Sequence, residues 1–198
     1  MNTLRIVRYA IWAAVIVLIA AVGAVLYLRD SGDGPLVAGA IGGGPFSLVD
    51  QTGAPVTEAA LKGHPSAMFF GYTFCPDVCP TTLADMTLRL EELGPNADKL
   101  TVYFVTVDPE RDTPAALAEY LQAFDPRIIG LSGDRPAIDA MLKAYRVYSR
   151  KTGEGEYYLM DHTASVYLLD AEGRLTGTLD YHEDPVTVLA KLKRLVGT

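Results

Sequence analysis

The two cysteines of this 198-residue chain, Cys75 and Cys79, lie four residues apart and are each followed by a proline. Two sulfurs this close support three kinds of chemistry. They can form a structural disulfide, act as a dithiol–disulfide couple, or bind a soft metal ion such as Cu(I) as thiolates. The sequence therefore places its candidate chemistry in the turn between Phe74 and Pro80.

The three uses of the cysteine pair are not equally suited to this spacing. A disulfide closing so short a loop stabilises a fold by roughly 2 kcal/mol in the chain-entropy model, less than a longer loop would give. The spacing Cys-x-x-x-Cys only approximates the Cys-x-x-Cys motif of thioredoxin-type redox sites. This departure favours a metal site, which a histidine would complete as a third ligand, and it leaves redox chemistry open.

The segments on either side of the cysteines predict how they are presented. The apolar run Ala67–Tyr72 predicts a buried strand, and Thr81–Leu93 predicts an amphipathic helix. Pro80 must lie in the first turn of that helix, because an interior proline removes a hydrogen bond and clashes with the preceding turn. Cys79 then falls near the helix N-terminus, where the free N–H groups and the dipole favour a thiolate, so we expect Cys79 to be more acidic than a free thiol.

Three histidines are candidates for a third ligand. His162 is the strongest, since it lies at the start of an apolar strand segment. His64 lies in a polar turn before a predicted strand, and His182 lies in a polar loop before the last predicted helix. Zinc is an alternative to copper for a site with two cysteines and one histidine.

The remaining pattern predicts one α/β domain over residues 46–198. Helical and extended segments alternate after an N-terminal hairpin, and a run of strands precedes the last helix, which favours a sheet with helices on both faces. Beyond the segments beside the cysteines, the predicted strands are 46–50 with Val56, 100–107, 128–131, 157–159, 165–169 and 174–179, and the predicted helices are 114–124, 135–145 and 186–195.

Residues 1–29 predict a membrane anchor. The 20 residues Tyr9–Leu28 are uncharged and apolar, which is enough to span a bilayer as a helix. Because Arg5 and Arg8 precede this stretch, positive-inside logic puts the following domain on the outer, periplasmic side of a bacterial inner membrane. A cleaved signal peptide is the alternative, with Ala21–Gly23 as its cleavage site. Residues 30–45 are rich in glycine and predict a flexible linker.

The charge distribution excludes nucleic acid as a partner. All 24 acidic side chains and all but three of the 17 basic ones follow residue 29, so the predicted domain is strongly acidic and has no basic stripe. A single close pair of cysteines in an exported domain is better suited to chemistry than to stapling, since secreted proteins that depend on disulfides use many.

Three sequence blocks resemble the Sco/SenC family of copper-binding assembly factors. They occur in the family's order, and the similarity runs from about residue 45 to the C-terminus. The blocks are FGYTFCPDVCPTTL at Phe70–Leu83, VTVDPERDTP at Val105–Pro114 and DHTASVYLLD at Asp161–Asp170.

The resemblance implies a thioredoxin-like fold that binds copper through Cys75, Cys79 and His162, as Cu(I) and in a second form as Cu(II). It implies a copper chaperone that delivers the ion to the dinuclear copper site of subunit II of cytochrome c oxidase; other periplasmic copper carriers are further candidate partners. The alternative is a thiol–disulfide reductase of that subunit's cysteines, for which Cys75 and Cys79 would be the catalytic pair. Asp77 and Asp161 flank the ligands and are candidates for orienting them.

Overall fold

The computed structural model describes residues 9, 12–13, 15–18, 43–155 and 157–198. Most of the predicted anchor, residues 1–29, and of the predicted linker, residues 30–45, lies outside the described residues. Within the described part of the anchor, residues 9, 12–13 and 15–18 are helical. A search of the described residues finds no helix whose length and apolar character would carry it across a bilayer. All other described residues lie from residue 43 onward.

Nine strands and four α-helices make up this domain. The strands are β1 Ser47–Asp50, β2 Pro55–Thr57, β3 Ser66–Gly71, β4 Thr101–Thr106, β5 Ile128–Ser132, β6 Ser149–Thr152, β7 Leu159–His162, β8 Val166–Leu169 and β9 Leu175–Leu179. The helices are α1 Val78–Leu93, α2 Pro114–Leu121, α3 Arg135–Ala144 and α4 Pro185–Leu195. Each of the four helices has a proline within its first three residues, where the missing N–H costs no helical bond.

Seven strands form a mixed sheet in the order β2-β1-β5-β4-β3-β8-β9. Strand β4 pairs in parallel with β3 and with β5, whereas β8 pairs antiparallel with β3 and the N-terminal hairpin β1–β2 pairs antiparallel with β5. The expected α/β class, with an N-terminal hairpin and a central mixed sheet flanked by helices in a thioredoxin-like arrangement, is confirmed.

The two central strands place their C-terminal ends at one edge of the sheet. In the parallel register of β3 and β4, Gly71 lies opposite Thr106. The cysteine turn follows Gly71, and the segment Asp108–Asp112 follows β4, so both leave the sheet at the same edge. Strand β3 is buried along its whole length, which fixes the starting point of the cysteine turn within the core.

The hairpin β6–β7 differs from the predicted elements. Its strands pair only with each other, in the register Ser149 opposite His162, and form a two-stranded sheet apart from the main one. Strand β6 has the sequence SRKT, whose two central charges give no apolar signal. Strand β7 begins at Leu159, the last residue of the strand predicted at 157–159, and ends at His162. His162 therefore lies on this separate hairpin and not on the main sheet.

Candidate metal centre

Cys75, Cys79 and His162 converge at the edge of the sheet. Their sulfur and imidazole nitrogen atoms all lie within 4.8 Å of one another, and Cys79 Sγ is 3.5 Å from His162 Nε2. Within the part of the chain that the structure describes, no other group of three such side chains comes close enough to hold one ion. All three candidate site residues are thus brought together.

The cysteine turn is built by capping of helix α1. The helix begins at Val78 with Asp77 as its N-cap, and the carboxylate of Asp77 makes no capping hydrogen bond. Instead, the backbone N–H of Cys79 donates to Cys75 Sγ at 3.4 Å. The Cys75 sulfur therefore accepts one of the N–H groups that the first helical turn leaves without an intrahelical partner. The prediction that Pro80 lies in the first turn is confirmed.

This geometry makes Cys75, and not Cys79, the more acidic thiol. The pKa of Cys75 is lowered to about 3, most strongly by the hydrogen bond from the Cys79 side chain. Hydrogen bonds from His162 and from the backbone of Asp77 and Cys79 add to this effect, and burial opposes it. The pKa of Cys79 is raised, because its thiol donates to Cys75 and because it is buried. The expectation of a Cys79 thiolate is wrong, since the helix N-terminus is satisfied by the neighbouring sulfur.

Cys79 occupies a recess in the core. Its side chain is fully buried, and a Cβ atom added to Gly71 would lie only 2.9 Å from its sulfur and 2.6 Å from Phe104 Cε2. Glycine at the end of β3 thus leaves the space that the Cys79 sulfur fills. Cys75 and His162 are only partly buried, so two of the three side chains face an approaching molecule.

The imidazole of His162 is held with Nε2 towards the sulfurs. Its Nδ1 lies 2.9 Å from the Thr163 carbonyl oxygen, an acceptor, so Nδ1 carries a proton. Nε2 is therefore the nitrogen that faces the sulfurs, where it can donate a hydrogen bond when protonated or bind a metal when unprotonated. The rings of Phe69 and Tyr72 pack edge-on against the imidazole, with centroid separations of 6.3 and 5.8 Å. Backbone and aromatic contacts therefore fix both the tautomer and the ring position.

The donor set suits a soft ion. Two sulfurs and one imidazole nitrogen are ligands that Cu(I) and Zn²⁺ accept. Ligand bonds of about 2.0 to 2.3 Å in a planar three-coordinate site imply ligand separations of roughly 3.5 to 4.0 Å. The 3.5 Å between Cys79 Sγ and His162 Nε2 fits this range. Because all three donor atoms lie within 4.8 Å of one another, small side-chain movements are enough for the residues present to hold a copper ion.

The other candidates do not join the cluster. His64 and His182 are exposed in loops, and neither belongs to the group of converging ligands. Asp77 is an exposed N-cap residue, and Asp161 is exposed and lies 3.7 Å from Arg150 across the hairpin. Within the described residues, the carboxylates of Asp77 and Asp161 make no hydrogen bond to a candidate ligand.

Three side chains near the site had no individual role in the sequence analysis. Asp108 and Asp112 are fully buried, and Arg111 is 14% exposed at its side chain. Asp112 accepts hydrogen bonds from the backbone and hydroxyl of Thr73, two residues before Cys75. Their position in the sequence could have identified them. They directly follow a buried strand that runs parallel to β3, so they must leave the sheet beside the cysteine turn.

Comparison with known proteins finds relatives that are similar in sequence and in fold. Protein SCO2 of yeast mitochondria is 39% identical over 158 residues, which is 78% of this chain and 52% of that protein, so the chain spans about half of its length. The structure of Bradyrhizobium japonicum ScoI with copper bound is 48% identical, with a TM-score of 0.73 over 78% of this chain and 99% of that one.

A further solved structure shares the fold. BsSco, described as a member of the Sco family of cytochrome c oxidase assembly proteins, has a TM-score of 0.65 at 23% identity over 80% of this chain and 95% of that one, a likeness that shows the fold alone. The family model SCO1/SenC matches residues 37–197, nearly the whole of the described domain. The chain belongs to the SCO1/SenC family.

Proposed function

We propose that this protein is a copper metallochaperone. It binds one copper ion through Cys75, Cys79 and His162 and helps to assemble the dinuclear copper site of subunit II of cytochrome c oxidase. The convergence of two sulfurs and one imidazole nitrogen within 4.8 Å carries the proposal. The copper held by the related ScoI supports the choice of metal, and the resemblance to copper-binding assembly factors supports the choice of client.

The burial of the three ligands suits transfer as well as capture. Cys79 is fully buried, whereas Cys75 and His162 are partly exposed. A partner's ligand can therefore approach from the side of Cys75 and His162 while Cys79 still holds the ion. Three protein ligands also leave a coordination position for that incoming group. Periplasmic copper carriers that load the site would use the same open side.

Copper binding should depend on the thiol state. The reduced protein is expected to bind one copper ion, and the protein with a Cys75–Cys79 disulfide essentially none, because oxidation removes two of the three ligands together. Metal analysis after gel filtration of both forms measures this, with zinc as the competing ion. Equal copper content in the two forms, or tighter binding of zinc than of Cu(I) by the reduced form, would contradict the proposal.

A thiol–disulfide reductase of the subunit II cysteines is the second candidate, because Cys75 is both partly exposed and more acidic than an ordinary thiol. In this reaction the Cys75 thiolate attacks a client disulfide and displaces one client thiolate. The Cys79 sulfur, after losing its proton, attacks Cys75 and releases the second client thiolate. The client gains two electrons, and this chain ends as the Cys75–Cys79 disulfide. The two candidates separate at His162, which the reductase does not need.

The proposed location is the bacterial inner membrane, with one spanning segment and the copper domain in the periplasm. The basis is the uncharged run Tyr9–Leu28, preceded by Arg5 and Arg8. Protease treatment of spheroplasts is expected to digest the domain while intact cells protect it. Recovery of the full-length chain in the washed soluble fraction, or its protection in spheroplasts, would overturn this location.

A further inference from the structure

The hairpin β6–β7 carries His162 without strand pairing to the main sheet in the described structure. Its backbone hydrogen bonds run within the hairpin and its flanks, such as that from the Thr163 N–H to the Tyr148 carbonyl at 3.1 Å. A backbone ladder therefore does not fix the distance between His162 and the cysteine turn. Side chains must hold the hairpin in place.

Arg111 contacts both parts that have to be joined. Its Nη1 donates to the Tyr158 carbonyl, the residue just before β7, at 3.1 Å, and its guanidinium lies 3.6 Å from the centroid of the Tyr158 ring. The same guanidinium lies 4.5 Å from the centroid of Phe74, which precedes Cys75. One planar cation thus packs between the cysteine turn and the hairpin, an arrangement that suits arginine more than lysine.

Asp108 fixes Arg111 and Tyr158 together. One oxygen of its buried carboxylate accepts from Arg111 Nε, and the other accepts from the Tyr158 hydroxyl at 2.6 Å. The ammonium group of Lys151 also lies 3.6 Å from the centroid of the Tyr158 ring. Because a buried carboxylate with both oxygens bonded has little freedom, the Tyr158 end of the hairpin has a defined position.

The position of Tyr158 is transmitted to His162 by a short strand. Strand β7 has four residues, so His162 lies about 13 Å along the chain from Tyr158 at the usual rise per residue. A small tilt at Tyr158 therefore displaces the imidazole by an appreciable fraction of a bond length. Ligand distances in well-formed metal sites agree with their standard values to within about 0.2 Å.

We propose that Arg111 is a positioning residue for the third metal ligand. It fastens the hairpin to the cysteine turn and so sets the distance between His162 Nε2 and the two sulfurs. The part of this inference that concerns copper rests on the proposed function, whereas the fastening of the hairpin does not.

The test uses Arg111→Lys, which keeps the charge but loses the planar donor, and Tyr158→Phe, which removes only the hydroxyl bond to Asp108. Arg127→Lys is the matched control. Arg127, like Arg111, pairs with a buried aspartate; it does so through two hydrogen bonds to Asp125, at 2.9 and 2.6 Å. It precedes β5, at the sheet edge opposite the metal centre, because β5 runs parallel to β4.

The first readout needs no metal. In the copper-free protein, amide hydrogen exchange in residues 149–163 is expected to become about ten-fold faster in Arg111→Lys, while exchange in β3 and β4 stays at the wild-type rate. Tyr158→Phe should show a smaller change in the same residues, and Arg127→Lys none. Unchanged exchange in the hairpin of Arg111→Lys would overturn the inference, whatever copper does.

The second readout is copper affinity of the reduced protein. Arg111→Lys is expected to weaken Cu(II) binding about ten-fold or more and to shift the Cu(II)–thiolate absorption band. In a His162→Ala background the same substitution should add little, because its effect passes through the absent imidazole. Losses that add in full, or an equal loss in Arg127→Lys, would refute it. If the wild type itself binds no copper, the proposed function fails and the exchange result alone decides the role of Arg111.

Discussion

Replacing His162 by alanine is expected to lower the copper affinity of the reduced protein by at least about 100-fold, beyond the range typical for residues that only support a ligand. The imidazole is the only nitrogen donor in the cluster, with Nε2 3.5 Å from Cys79 Sγ. The loss should be larger for Cu(II) than for Cu(I), since imidazole suits Cu(II) and thiolates select Cu(I). Competition titration with a chelator of known affinity measures both.

The dithiol couple should survive this substitution. The largest influence that lowers the pKa of Cys75 is the hydrogen bond from Cys79, and His162 comes after it. The Cys75 thiol of His162→Ala should therefore still be alkylated as a thiolate below pH 7, and its disulfide should be reduced at close to the wild-type rate. His182→Ala is the matched control, because His182 is an exposed histidine outside the cluster.

Oxidase assembly in cells that carry His162→Ala then separates the two candidate functions. Assembly lost together with copper affinity is expected for the chaperone. Assembly that persists without copper binding would instead favour the reductase. Unchanged copper affinity would remove His162 from the ligand set and contradict the metal centre as described.

Much of the metal centre follows from local sequence rules. An apolar run, two prolines and an amphipathic segment were enough to predict a strand, a turn and a helix with both sulfurs at the turn. Proline cannot enter a helix interior, so Pro80 fixed the helix start to within a turn. Its position at the start of an apolar strand segment ranked His162 first among the three histidines, and the family resemblance then identified it as a ligand, which the local sequence alone does not distinguish from a structural histidine.

The sequence patterns failed at two places, the ionised thiol and the hairpin. The thiolate belongs to Cys75 chiefly because the Cys79 side chain donates to its sulfur, which also caps helix α1 in place of the Asp77 carboxylate. Capping preferences favour aspartate at that position, so the sequence argues for the wrong group. The hairpin β6–β7 was missed because Arg150 and Lys151 interrupt the apolar alternation by which strands are recognised.

Asp112 supports the cysteine turn from the segment that follows β4. Its buried carboxylate accepts from the Thr73 N–H at 3.0 Å, the Thr73 hydroxyl at 2.6 Å and the Thr106 hydroxyl at 2.7 Å. Replacing Asp112 by alanine leaves these three donors without their acceptor. We expect a loss of roughly 3 kcal/mol or more in the free energy of unfolding, together with weaker copper binding.

Asparagine at the same position is the matched control. Its amide oxygen can accept from the Thr73 N–H and the Thr106 hydroxyl, and its amide NH₂ can donate to the Thr73 hydroxyl, which rotates to accept. Asp112→Asn should therefore lose less than about 1 kcal/mol near neutral pH. Urea unfolding followed by far-UV circular dichroism measures the free energy of unfolding of both variants. An alanine variant as stable as the asparagine variant would show that the three bonds contribute nothing.

The difference in stability between the wild type and Asp112→Asn is expected to depend on pH, with a definite sign. Burial raises the pKa of Asp112 above the value of 3.8 that an unperturbed aspartate has. The folded protein therefore holds this proton more tightly than the unfolded chain. The cost of the buried charge is absent below about pH 3.8 and grows as the pH rises through the raised value. Wild type should accordingly lose stability relative to Asp112→Asn as the pH rises from about 3.8 towards the raised pKa. Unfolding free energies that run parallel for the two proteins across this range would show that the carboxylate is not the group that titrates.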